Sequence, residues 1–383
     1  MKYYDVIILG SGIAGSSLAY HLKKNDYKGE ILVLSSKIRA NLGYNHRLVF
    51  KKDIDEYNLP VAKKYKKVSV GAYDKSYFTL NHDVYFINYS ETCDFLLTKS
   101  GVEQKNEIAL DMTNNILKTN KTNYKFKYLI DCTGSAFFLR KKLNFTLPHI
   151  YWLVKTSIYK NSNEFDKDTF YFSFSNEEYF EDVYPIGDKI AYGEWVYTKS
   201  TNYNNIIPNK KNFFKNKANK LQPLEVKYAT FPVALSLPLI HKNFAFLGDS
   251  FGNGLPSVGR GITVILDSAK ILSKAIKKRD LNYYDKMWKQ KYLEKYIKII
   301  SLKENTHFNN MFIKKIKNYP GIKKILSEVK KKPEHFINMI TDKGDPNFTK
   351  DLQKIFPKRV VLWQAYHYFK TKVRYFFMDK KRV

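Results

Sequence analysis

Two short apolar runs flank a glycine turn at the start of the chain, and nothing further along limits the fold as strongly. "DVIILG", residues 5–10, has the length and composition of a buried parallel strand. Ile13, Ala14, Leu18, Ala19 and Leu22 then recur at helical spacing, and "EILVLSS", residues 30–36, is a second apolar run. Strand, helix and strand in about thirty residues make a βαβ unit, which requires a right-handed crossover. Gly10, Gly12 and Gly15 form G-x-G-x-x-G at the strand-to-helix junction. The first glycine permits the tight turn, the second lets backbone approach a pyrophosphate, and the third lets helix and strand pack closely. Ile13 and Ala14 follow at the helix N-terminus, where free N–H groups and the helix dipole favour anions. A dinucleotide site of this kind usually ends its second strand with an acid that holds the ribose. Here Ser35 stands in that place, a weaker hydrogen-bonding partner than a carboxylate.

The 383 residues, 44% of them hydrophobic, suffice for a large core. Cys93 and Cys132 are too few for a disulfide framework and belong to no CxxC pair, so reduced thiols and no metal site are expected. No leader-like segment precedes the first strand, and no apolar run is long enough to span a bilayer. The expectation is a cytoplasmic protein, soluble or peripheral on the cytoplasmic membrane face. The formal charge of +30 is spread along the chain rather than striped. It fits compositional bias or an anionic membrane surface; without zinc-finger, RNP or basic-zipper patterns, nucleic acid is not the expected partner.

A second glycine-rich stretch, "FAFLGDSFGNGLPSVGRGI" at 244–262, surrounds a single carboxylate. Its pattern is G-D-x-x-x-x-x-x-P-x-x-G-x-G, from Gly248 and Asp249 through Pro256 and Gly259 to Gly261, between a buried strand and an amphipathic helix beginning near Ile262. This resembles the second fingerprint of FAD-dependent oxidoreductases of the para-hydroxybenzoate hydroxylase-like superfamily. The resemblance implies FAD, with Asp249 on a ribityl hydroxyl and the Pro256, Gly259 and Gly261 backbone close to the flavin. "YLIDCTGSAFFLR", 128–140, resembles the middle motif A-D-G-x-x-S-x-x-R: Gly134 and Arg140 keep the spacing, while Thr133 replaces the acid and Phe137 the serine. "INYSETCDFLLTKSG" resembles the helix often reading R-x-x-F-D-x-x-L, with Asp94 and Leu97 matching and Tyr89 at the arginine end.

"FEDVYPIGDKIAYGEW" is similar to a signature of the geranylgeranyl reductase family, Y-x-W-x-F-P followed by G-x-G. Pro185 and Gly193 match, Phe180 and Tyr184 are aromatic substitutes, Asp182 replaces the Trp, and Trp195 the last Gly. In that family the motif lines the cavity for an isoprenoid tail, so these positions are the substrate candidates. The implied reaction is reduction of carbon–carbon double bonds of a polyprenyl lipid by hydride from reduced flavin N5. The sequence assigns no catalytic residue; Asp182 and Tyr184 are guesses for a proton donor. The electron donor is open between NAD(P)H and ferredoxin.

The expected architecture is α/β: a Rossmann-like FAD-binding domain (1–40, 90–140, 241–280) with an inserted antiparallel-sheet substrate domain (41–89, 141–240). A basic helical region, 281–383, follows. Its end carries Trp363, Tyr366, Phe369, Tyr375 and Phe376 among Arg359, Lys370, Lys372, Arg374 and Lys380. Such a helix suits an anionic lipid surface or packs its aromatic side on the core. Competing functions are a flavin monooxygenase or halogenase, a lycopene-cyclase-like enzyme, and a non-catalytic flavin- or lipid-binding protein.

Overall fold

The structure, a computed structural model, describes residues 1–36, 46–72, 75–161, 164–176, 179–199, 201, 222–252, 261–304 and 358–380. Its strands in chain order begin with β1 (Lys2–Leu9), β2 (Ile31–Ser35), β3 (His46–Val49), β4 (Val61–Ala72) and β5 (Lys75–Asn88). Next come β6 (Glu103–Asn106), β7 (Ala109–Thr113), β8 (Ile116–Thr119) and β9 (Asn123–Asp131). The later strands are β10 (Tyr151–Lys160), β11 (Thr169–Asn176), β12 (Tyr179–Ile186), β13 (Lys189–Thr198), β14 (Glu225–Pro232), β15 (Ile240–His241) and β16 (Phe244–Phe246). The helices are α1 (Ile13–Lys24), α2 (Lys51–Tyr57), α3 (Tyr89–Ser100), α4 (Phe138–Lys142) and α5 (Gly261–Lys277). After them come α6 (Leu281–Trp288), α7 (Glu294–Glu304) and α8 (Lys358–Lys380), with a π turn at Lys289–Leu293 between α6 and α7.

Two sheets of eight strands divide the work. The first has the order β15-β16-β9-β1-β2-β6, with β7 and β8 beside β9. β9, β1, β2, β6 and β16 run parallel, as the βαβ reading requires. β1 and β2 are almost wholly buried at their C-terminal ends, where α1 lies on them and α3 and α5 pack in turn on α1. The amphipathic spacing of α1 explains its docking: Ile13, Leu18, Ala19 and Leu22 all fall inside. α3 begins at Asn88, whose side chain accepts from the Glu91 N–H, and ends at Gly101 in the left-handed region.

The second sheet has the order β14-β10-β13-β12-β11-β4-β5-β3. The aromatic, period-two pattern of 151–198 gives the expected antiparallel ladder β10–β13–β12–β11. One joint differs from that expectation: β11 pairs with β4 in parallel. The sheet is assembled from two distant segments, β3–β5 and β10–β14, and they meet side by side in the same direction. "NFAFLGD" yields only a three-residue strand, β16, because Gly248–Phe251 closes into a 3-10 turn.

Cys93 and Cys132 are buried and in no disulfide, and among the described residues no group of His, Cys, Asp and Glu could hold a metal ion. No described helix is long and apolar enough to cross a membrane. The polar segment 202–212 and the prolines at 320, 333, 346 and 357 lie outside the described residues.

Candidate functional site

The strand ends of the first sheet bring together segments that are far apart in sequence. Gly10 follows β1 with φ +106°, a left-handed conformation that glycine adopts at little cost. A methyl group on it would stand 2.4 Å from the Cys132 carbonyl oxygen at the end of β9. Gly15 lets α1 lie directly on the turn: a Cβ there would stand 1.9 Å from the Gly10 carbonyl oxygen. Gly248, φ +73°, faces the first turn of α1, where an added Cβ would meet the Ala14 methyl at 2.8 Å. The N-terminal glycine turn and the Gly248–Asp249 turn are therefore in contact.

The β9 exit positions this junction. Asp131, fully buried, accepts from the Thr133 N–H at 2.9 Å, the Thr133 hydroxyl at 2.6 Å and the Leu139 N–H at 2.8 Å. Its carbonyl accepts from the Leu247 N–H and the Ser250 hydroxyl, tying β9 to the Asp249 turn. Arg140 is buried and donates to the carbonyls of Ser250, Ser236 and Pro238, with its guanidinium 4.1 Å from the Phe246 ring centroid. The arginine read from the middle motif thus holds the Asp249 turn from beneath. Thr133 was placed with the cofactor contacts, but its hydroxyl is taken up within the β9 exit, donating to Asp131 and accepting from the Phe138 N–H. Gly134 meets nothing within 4 Å at its Cβ position, so its φ of +62° accounts for it rather than a close approach.

Gly10, Gly12, Ser35, Thr133, Gly134 and Asp249 all keep partial exposure, while Ile13, Ala14, Gly15, Gly248, Gly261 and Ile262 are buried. Pro256 and Gly259 lie outside the described residues. Loss of solvent pushes the Asp249 carboxyl up to about 6, and the Arg47 charge pulls it partly back.

Arg47 and Tyr89 carry more of this site than their sequence context suggested. The Tyr89 hydroxyl accepts from the Ile13 N–H at 3.0 Å and lies 2.9 Å from where a Gly12 Cβ would be. Burial pushes its phenol well above the ordinary value, so it stays protonated. The Arg47 guanidinium sits between the Tyr89 ring (5.8 Å) and the Phe231 ring (5.6 Å), within electrostatic reach of Asp249, Asp182 and Tyr184. A sequence signal for Arg47 does exist. Only eight of the 66 basic residues are arginine, and two of those eight, Arg47 and Arg140, lie here, where planar geometry counts.

From Phe231 an aromatic column continues across the second sheet. Phe231 stacks on Trp195 (5.8 Å, 19°), and Trp195 on Phe180 (4.9 Å, 13°). Strand alternation places Phe180, Asp182 and Tyr184 on this face of β12, and Gly193 lies directly across from Asp182. Pro185, also a substrate candidate, falls at the alternate position of β12 and so points to the other face.

No protein-family model matches the chain, and no curated protein sequence matches it. Solved structures do match. A geranylgeranyl bacteriochlorophyll reductase-like protein from Thermoplasma acidophilum superimposes with a TM-score of 0.63 at 17% identity, covering 79% of this chain and 87% of that one. The flavin-dependent brominase Bmp2 gives a TM-score of 0.63 at 15% identity, with 85% and 93% covered. PqsL, a probable FAD-dependent monooxygenase from Pseudomonas aeruginosa, gives 0.57 at 16%, with 79% and 95% covered. The chain therefore has the α/β fold of flavin-dependent oxidoreductases and monooxygenases.

Proposed function

We propose that the chain is an FAD-dependent oxidoreductase that reduces carbon–carbon double bonds of a polyprenyl, geranylgeranyl-type lipid. The observation that carries this reading is the column Tyr89–Arg47–Phe231–Trp195–Phe180. It runs unbroken from the glycine turn to the aromatic face of the second sheet. A nucleotide end and an apolar end thus share one site, as a dinucleotide cofactor acting on a greasy substrate requires.

The residues fit FAD. The bare Gly10–Gly12 backbone and the N-terminus of α1 would take the pyrophosphate. Tyr89 accepts the Ile13 N–H and, among the described residues, its own O–H makes no hydrogen bond, so it is free to donate to a phosphate oxygen. Ser35 would meet the ribose and Asp249 a ribityl hydroxyl. FAD, when bound and reduced, supplies a hydride from flavin N5. The aromatic wall orients an apolar chain and keeps water out, and Arg47 offers a fixed positive charge beside both carboxylates.

A second reading, monooxygenase or halogenase, draws on the likeness to Bmp2, whose TM-score equals that of the reductase-like protein. One experiment separates the two. Protein loaded with FAD is reduced by dithionite without oxygen and incubated with geranylgeranyl lipid, and the lipid mass is read before and after. Gain of two hydrogens per double bond supports the reductase. No change without oxygen, followed by oxygen or halogen incorporation in air with halide, replaces it with the second reading.

A further inference from the structure

Of the acids on the aromatic wall, Asp182 is the least explained by packing. It stands mid-strand in β12, is 8% exposed, and its Oδ1 has no hydrogen-bond partner among the described residues. Buried polar atoms are rarely left so. The fold makes room for it: a Cβ on Gly193 would come within 2.0 Å of that Oδ1, so only glycine fits across from it. The Trp195 Nε1, also buried and without a partner within strict hydrogen-bond geometry, would stand 2.9 Å from the same added Cβ. Compared with the geranylgeranyl reductase signature, an indole has moved from β12 to the neighbouring strand, and a carboxyl occupies the vacated position.

We propose that Asp182 is the acid that gives a proton to the molecule bound against the wall, with Gly193 supplying clearance and Trp195 the adjoining N–H. The recipient being an alkene carbon rests on the function proposed above. Reducing one double bond takes a hydride and a proton. The hydride comes with the reduced cofactor; the Asp182 O–H bond breaks as a C–H bond forms on the other carbon, and the carboxylate regains its proton from water. Burial pushes this carboxyl up to about 7, while the Trp195 N–H, the Arg47 charge from β3 and the Gly193 N–H pull it back and Glu181 pushes it further up. Asp249, itself raised to about 6, is also within reach of the Arg47 charge. Asp182 is therefore available in both protonation states near neutrality, as an acid catalyst should be.

The test is an infrared titration of the purified protein. The component of the protonated-carboxyl band that titrates near pH 7 should be lost in Asp182→Asn and persist in Asp249→Asn, which removes the component nearer pH 6. Trp195→Phe, which removes an N–H that favours the carboxylate, should move the midpoint upward. In turnover, Asp182→Asn should lower kcat roughly 100-fold or more with little change in KM or flavin content. A band unaffected by Asp182→Asn, or a variant with wild-type kcat, overturns the proposal. A normal titration in a protein that reduces no prenyl lipid overturns the lipid reading and leaves the acid in place.

An independent observation concerns α8. Leu362, Tyr366, Phe369, Val373 and Phe376 form a stripe at alternating spacings of four and three, with Phe377 beside Phe376, and each of the six is 37–71% exposed. The opposite side of the helix, with Thr371 and Tyr375, is buried where α8 packs on α7. Lys370 and Lys372, both exposed, border the stripe on either side, and Lys372 also lies 3.7 Å from the Glu294 carboxylate of α7. The only acid in 358–380, Asp379, is already paired with Lys289 at 2.6 Å. We infer that this face rests on an anionic bilayer, aromatics in the headgroup region and lysines on lipid phosphates. The full chain should cosediment with phosphatidylcholine vesicles containing phosphatidylglycerol and much less with phosphatidylcholine alone. The double variant Phe369→Glu, Phe377→Glu should bind at least roughly tenfold more weakly. Equal binding by that variant, no binding to anionic vesicles, or a dimer in analytical ultracentrifugation that the variant abolishes, each overturns the inference.

Discussion

Asp249→Ala should emerge from purification colourless or nearly so, while its fold, read by circular dichroism, stays intact. A carboxylate hydrogen-bonded to a ribityl hydroxyl contributes about 1.5–3 kcal/mol, so its loss weakens FAD binding by roughly 10- to 100-fold. Asp249→Asn, which keeps an acceptor oxygen, should fall between the variant and wild type. The same residue makes a pH prediction for the cofactor-free protein. Its folded pKa, about 6, lies above its unfolded value, so the folded state holds the proton more tightly. Stability from this group is present at low pH and is lost as pH rises through about 4 to 6; above that window the charged form sits desolvated. Apo Asp249→Asn should therefore melt with wild type at pH 4 and above it at pH 8, by about 2 kcal/mol. A variant that purifies as yellow as wild type removes the ribityl assignment. A melting difference that does not change with pH removes the desolvation argument.

The parts of this site written in local pattern were legible, and the parts made by tertiary approach were not. The βαβ unit follows from apolar runs and three glycines because those residues act on their own neighbours. The nearness of the two glycine-rich turns was inferred from a resemblance, and its physical cause, Gly248 against Ala14, appears only once β16 is laid beside β9. Arg47 could not be placed from sequence, since its partners Tyr89 and Phe231 come from α3 and β14. Pro185 was grouped with Phe180 and Tyr184 by motif spacing, yet the period of two in a strand turns it away. Thr133 was read as standing in for the acid of the middle motif. With Asp131 and Leu139 around it, it serves the turn instead.

Gly15→Ala and Gly12→Ala should fail in different ways, although both add one methyl group to the same motif. At Gly15 the methyl would sit 1.9 Å from the Gly10 carbonyl oxygen and 3.1 Å from the Ile8 Cγ2, and the first of these is backbone at the end of a central strand. Relief requires α1 to rise from the sheet, uncovering Leu18, Ala19 and Leu22, each fully buried. Overpacking of this kind costs about 1–3 kcal/mol and more where backbone must move, so the variant should lose 3 kcal/mol or more and FAD with it. At Gly12 the nearest atom is the Tyr89 hydroxyl, 2.9 Å away at the end of a side chain that can turn aside. The protein should then stay within about 1 kcal/mol of wild type in urea unfolding. Its FAD content should still fall, because the methyl projects where a phosphate has to approach the α1 N-terminus. Measuring unfolding and flavin stoichiometry on both variants separates packing from binding. If Gly12→Ala unfolds as easily as Gly15→Ala, the turn is a packing device alone. If it is stable and retains full FAD, the pyrophosphate lies elsewhere.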